Sequence, residues 1–249
     1  MITVGIRIYA LGAIVLGLVG LAWSDFALVW QPVPATVPGR ILLAYALAAG
    51  LLLGGLAVNW RRTAVAGAAV LCILFGLIAA LLHGPQVLAH PQVFGAWSGL
   101  AEQLAPTAAG LVACAFIIGG GGTRGYGYLR AGQWAFGACV VVFGLAHFFY
   151  LKDTAELVPN WLPPDQSFWA AATGVAHLAA GVAILTGVAA RLAAYLLTLM
   201  FALFGILIHA PLLMADPHSH LNWVMNAMNL ALTGSAWAVA DTLTGRRFS

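Results

Sequence analysis

Five ionisable side chains of this sequence lie inside long apolar runs: His83, His147, His177, His209 and Glu102. Holding such a group in hydrocarbon costs roughly 2 to 3 kcal/mol or more, so each needs a reason to be there. Imidazole titrates near about 6.5 and can both give and take a proton. Three chemistries suit the set. In the first, His147, His177 and His209 line an outward-opening pocket with Asn222, Asn226 and Asn229, and orient a quinone or another small amphipathic molecule. The asparagines belong there because i, i+4, i+7 spacing puts three amides on one helix face. In the second, His147 and His209, which lie at matching depth, ligate a haem axially. In the third, the polar side chains hydrogen-bond between helices at about 1 kcal/mol each and hold a non-catalytic scaffold together.

A separate constellation follows His209 in "FGILIHAPLLMADPHSH" (204 to 220). Asp216, His218 and His220 offer a carboxylate and two imidazoles that suit Cu or Zn. A D-P turn explains Asp216 and Pro217 without any metal.

The elements that position these residues follow from composition. Of 249 residues, 63% are hydrophobic and 7% charged, too little charge for a water-facing exterior. Runs of about 18 to 22 apolar residues suit helices crossing roughly 30 Å of hydrocarbon. Eight are predicted: Ile6 to Trp23, Arg40 to Val58, Ala64 to His83, Trp97 to Ile118, Ala131 to Tyr150, Phe168 to Val188, Ala190 to Leu213 and Leu221 to Ala240. They are apolar all round, which argues against a β-barrel. His177 falls nine residues into the sixth span, about 13 Å deep, and is the deepest of the set.

If the spans alternate, Arg7, Arg61, Arg62, Arg124, Arg130, Arg191, Arg246 and Arg247 share one side, and Arg40 and Lys152 oppose them. Basic loops stay cytoplasmic, so both termini are expected inside. Trp23, Trp30, Trp97, Trp161, Trp169 and Trp223 cluster near the opposite ends, as an interfacial belt does. The net charge of +3 reflects this topology and no nucleic-acid partner. Cys72, Cys114 and Cys139, each in a different span, suggest buried thiols with no disulfide framework.

Sliding the chain by 126 residues lays "LLHGPQVLAHPQVFGAW" (81 to 97) over "LIHAPLLMADPHSHLNW" (207 to 223). His83 meets His209, Pro85 meets Pro211, Pro91 meets Pro217 and Trp97 meets Trp223. The organisation expected is a four-helix unit over 1–118, a Gly-rich cytoplasmic linker over 119–130 and a second unit over 131–249. An even number of helices per unit makes the repeat parallel, about the membrane normal. The counterparts of His147 and His177 lie near Gly20 and Leu51, and Asn226 faces Leu100, so polar chemistry concentrates in the second unit. The linker contains G-x-G-x-x-G at Gly120, Gly122 and Gly125, but no βαβ unit surrounds it. No Ser-His-Asp set, Walker motif, H-E-x-x-H or paired intramembrane carboxylates are present, so hydrolysis and ATP-driven work lack apparatus. Gly50 and Gly54 form G-x-x-x-G, a close-packing or dimerisation signal. Glu102 is expected to face a headgroup or a partner helix.

The second unit resembles the DoxX family of bacterial four-helix membrane proteins through "GLAHFF" (144 to 149), "LVPNWLP" (157 to 163) and "TGVAHLAAGVAIL" (173 to 185). His177 stands where that family commonly has Glu. The resemblance implies an all-α, multi-pass protein of a bacterial inner membrane, associated with redox chemistry. Among the ligands that the residues themselves suggest, a quinone comes first, with haem or Cu/Zn as alternatives. Subunits of a larger membrane complex, or a second copy of the chain, are the partners expected within the bilayer.

Overall fold

The computed structural model describes residues 2–119 and 123–243; within them the chain is helical, with no strand. Eight long helices follow one another: α1 (Val4–Trp23), α2 (Arg40–Val58), α3 (Ala64–Ala89), α4 (Phe94–Ile117), α5 (Thr123–Phe149), α6 (Gln166–Thr186), α7 (Ala190–Ala215) and α8 (His220–Thr242). A short helix over Leu151–Leu157 joins α5 to the loop before α6. Their starts follow local chemistry. Thr3, Asp165 and Ser219 cap α1, α6 and α8 by accepting hydrogen bonds from Ile6, Phe168 and Asn222 N–H groups.

Among the described residues, seven helices are long and apolar enough to cross a membrane. The eighth expected span, α8, has 23 residues but a more polar composition. It carries Asn222, Asn226, Asn229 and Asp241, and it packs against α1, α4 and α7. A helix enclosed by protein can hold such groups without facing lipid. Outward-facing side chains elsewhere are large and apolar, among them Leu42, Leu53, Ile73, Leu192, Leu196 and Ile206.

The expected linker over 119–130 is shorter in the structure, because α5 starts at Thr123 and takes in Gly125 and Gly127. Gly120 and Gly122 lie outside the described residues, as do Arg246 and Arg247.

Each helix packs on its chain neighbours, and α8 closes the circle against α1 while α4 meets α8 across the middle. The α1–α8 contact is intimate because it uses glycine: Gly5 faces the Ala238 backbone, and Gly234 faces the Tyr9 backbone. Across the molecule Gly132 of α5 packs in the same way on Ala108 and Val112 of α4. Gly50 and Gly54 turn toward Leu74, Leu71 and Val70 of α3, so their close packing lies within the chain.

Two further details recur 126 residues apart. Helix α3 widens to π geometry over Ala79–His83 and α7 over Gly205–His209. Pro85 and Pro211 follow, and neither has an N–H to return to the carbonyl four residues earlier. Trp97 donates its indole N–H to Pro91 O at 2.9 Å, and Trp223 donates to Pro217 O at 2.9 Å. At that same end Arg40, an exception to the basic-side pattern, pairs with Asp25 at 2.6 Å and so brings no net charge there.

Candidate functional site

The histidine cluster is built from local helix chemistry. His147 of α5 and His177 of α6 each direct Nδ1 at the carbonyl four residues earlier on their own helix, Phe143 O and Thr173 O, both at 2.8 Å. A carbonyl only accepts, so Nδ1 carries the proton in both rings and Nε2 of each neutral imidazole is an acceptor. The rings meet at 4.7 Å between centroids. Gly174 permits this approach, since a Cβ there would stand 2.8 Å from His147 Cβ. His177 is fully buried, walled by Phe143, Phe201 and Phe204 at 5.4 to 6.3 Å.

The π segment of α7 supplies the third histidine. His209 has a buried Nδ1 without a hydrogen-bond partner among the described residues. Its backbone carbonyl accepts from Asn226 Nδ2 at 2.9 Å, and Phe201 O accepts from Asn229 Nδ2 at 3.1 Å. Two amides of α8 thus clamp the irregular stretch of α7 from either end. Gly205 leaves room for one of them, because a Cβ there would stand 2.8 Å from Asn229 Nδ2.

His147, His177, His209 and Asn229 line one cavity of about 200 Å³. Asn222 and Asn226, expected in the same pocket, are instead committed to backbone. Asn222 donates to Leu212 O at 3.0 Å and Asp216 O at 3.4 Å, and Asn226 also donates to Asn222 O at 2.9 Å. The spacing i, i+4, i+7 does put the three on one face, but α7 covers its outer part.

His147 and His209 also border a second space of about 640 Å³ between α6 and α7, lined by Leu196, Leu199, Leu203 and Leu207 and by Val158 and Pro159 of the preceding loop. The opening expected toward the outer face is therefore a crevice in the side of the bundle. Leu196, Leu199 and Leu203 are exposed on it. On α7 its lining residues run from Leu196 to His209, roughly 20 Å at the helical rise.

The loop constellation does not assemble. Asp216 Oδ1 accepts from His218 N at 3.1 Å, an Asx turn, while His220 stacks on Trp23 at 5.1 Å. Among the described residues no three His, Cys, Asp or Glu side chains come together in an arrangement that could hold a metal ion. For the haem reading, the imidazoles in ring contact are His147 and His177 rather than the depth-matched His147 and His209.

Sequence reasoning missed the first half's contribution. Trp30, Ser98 and Glu102 line the histidine cavity. The lone carboxylate in an apolar run was the available signal; which helix it would face was not encoded in spacing. In the first half Leu51, aligned with His177, is buried core, and His83 spends Nε2 on Trp30 O at 3.1 Å.

Fold and site together define, among the described residues, a helical protein with seven membrane-length apolar helices and a histidine-lined cavity beside an apolar crevice. Residues 136–240 match a family described as Domain of unknown function (DUF8561), under half of the chain but a stretch that contains every histidine and asparagine of the cluster. No curated protein and no solved structure matches the chain.

Proposed function

We propose that this chain is an integral protein of a bacterial inner membrane, two tandem DoxX-like four-helix units with both termini cytoplasmic, and that its second unit binds the hydroxyl-bearing head of a quinol-like lipid. The observation that carries this reading is the pair of Nε2 acceptors on His147 and His177 in a cavity adjoining an apolar crevice. A quinone carbonyl offers those acceptors nothing, whereas a quinol hydroxyl donates to them and its tail lies along the leucines. Association with redox chemistry then means holding the reduced carrier at imidazoles able to receive its protons.

The matched π segments, proline exits and tryptophan latches 126 residues apart support the duplication, as does the reciprocal packing of α1 on α8 and α5 on α4. The test is binding of short-chain ubiquinol and ubiquinone analogues to purified protein, with organic extraction and an absorption spectrum of the preparation as isolated. Quinol is expected to bind at least tenfold more tightly than quinone. Equal affinities, or no binding of either, overturn the reading, and a Soret band replaces it with haem.

A second reading, an accessory subunit without ligand, is favoured by one observation: the amides of Asn222, Asn226 and Asn229 all serve helix-to-helix hydrogen bonds.

A further inference from the structure

Glu102 borders three separate spaces. It lines the 200 Å³ histidine cavity, the crevice between α6 and α7, and a cavity of about 530 Å³ among the ends of α3, α4 and α5 at the tryptophan-rich face. That last cavity is the more polar of the two beside the crevice: His83, Gln86, His90 and Tyr150 contribute to it. No cation pairs with Glu102 among the described residues, where the ion pair is Arg40 with Asp25. Pro106, one turn later in α4, has no N–H to satisfy the Glu102 carbonyl, so that backbone hydrogen bond is missing from the helix at this residue. The repeat does not require an acid here, since the aligned residue of α8 is the buried Met228.

A carboxyl that costs free energy in hydrocarbon, has no cation beside it among the described residues and only the Trp30 indole as a hydrogen-bonding neighbour, and borders both the histidine cavity and a more polar one, has the placement of a proton carrier. We propose that Glu102 exchanges protons between the histidine cavity and the tryptophan-rich face, so that ligand and proton use different openings. A ligand enters sideways between α6 and α7, while protons pass His147 or His177, then Glu102, then the cavity lined by His83 and His90. One proton moves at each step and no electron is transferred. The titratable groups that line the same cavities as Glu102 are His147, His177 and His209 on one side, and His83, His90 and Tyr150 on the other. The proposal builds on the ligand-site reading for its purpose, but its test needs no ligand.

In protein reconstituted into lipid, the carboxylic acid C=O stretch of Glu102 is read by infrared spectroscopy and assigned by its loss in Glu102→Gln. Its deuterium shift is then followed after a change to D2O buffer. Gly95→Leu narrows the polar cavity against Tyr150, whose hydroxyl is 3.1 Å from where a Gly95 Cβ would be. Ala172→Phe obstructs the crevice instead. We expect Gly95→Leu to slow exchange at least tenfold and Ala172→Phe to leave it unchanged. Gln86→Phe fills the same polar cavity from α3 and replaces Gly95→Leu if that variant does not fold. The proposal is overturned if no band is lost in Glu102→Gln at any pH, if neither filling of the polar cavity slows exchange, or if Ala172→Phe slows it in their place. Normal exchange together with absent quinol binding would leave Glu102 as a proton carrier and overturn the ligand reading alone.

Discussion

At the residue scale the candidate site is arranged by hydrogen bonds within its own helices. Because Phe143 O and Thr173 O hold the Nδ1 protons, His147 and His177 present acceptors. His177→Ala removes one such acceptor, a net contribution of about 1 kcal/mol, and should weaken quinol binding about fivefold with no change for quinone. Isothermal titration with both forms checks this, and an equal loss for the two would contradict the tautomer argument. The asparagines separate by role. Asn226→Leu forfeits two hydrogen bonds to backbone, each about 0.6 to 1.7 kcal/mol, and should lower the thermal midpoint while ligand affinity stays within twofold. Asn229→Leu, which also alters the cavity wall, should lower both.

At the element scale the irregular stretch of α7 matters more than its length. Pro211 withholds the N–H that Leu207 O would receive, and the π segment just before it turns His209 into the cavity. Pro211→Ala allows that hydrogen bond to form and should leave the thermal midpoint equal or higher, while quinol affinity falls at least threefold. Parallel melting and titration of the variant decide it, and unchanged affinity would mean that the proline serves only the helix exit. The α1–α8 seam depends on the missing side chain at Gly234. Gly234→Leu should cost about 3 kcal/mol or more, since no flexible group is available to move aside. Gly127→Leu, with nothing near its would-be Cβ, should cost little, and the two melting curves compare directly.

At the scale of the whole molecule the halves are not independent. α1 packs on α8, α5 packs on α4, and α4 meets α8, so each half of the chain completes the other's walls. Expressed alone, residues 119–249 should fail to give a monodisperse protein. Co-expressed with 1–118, they should co-purify through a tag on either piece. A stable second half by itself would show that Trp30, Ser98 and Glu102 are dispensable walls.

Helical class, seven of the eight expected apolar helices and the recurring H-x-P exits were legible in the sequence, because a membrane-length helix needs a long apolar run and a proline must interrupt backbone bonding wherever it falls. The set His147, His177, His209 was legible too, since charge-capable groups in apolar runs are few enough to name. Spacing could not say that Asn222 and Asn226 would be taken up by α7 carbonyls, nor that Asp216, His218 and His220 would point apart. Those outcomes depend on which helix lies opposite, a question of packing between residues far apart in the chain. The same holds for Glu102, which belongs to the first half by sequence and to the second half's cavity by position. Apolar periodicity is a property of each helix alone, whereas a cavity exists only where several helices fail to fill the space between them, and that was decided by the tertiary structure.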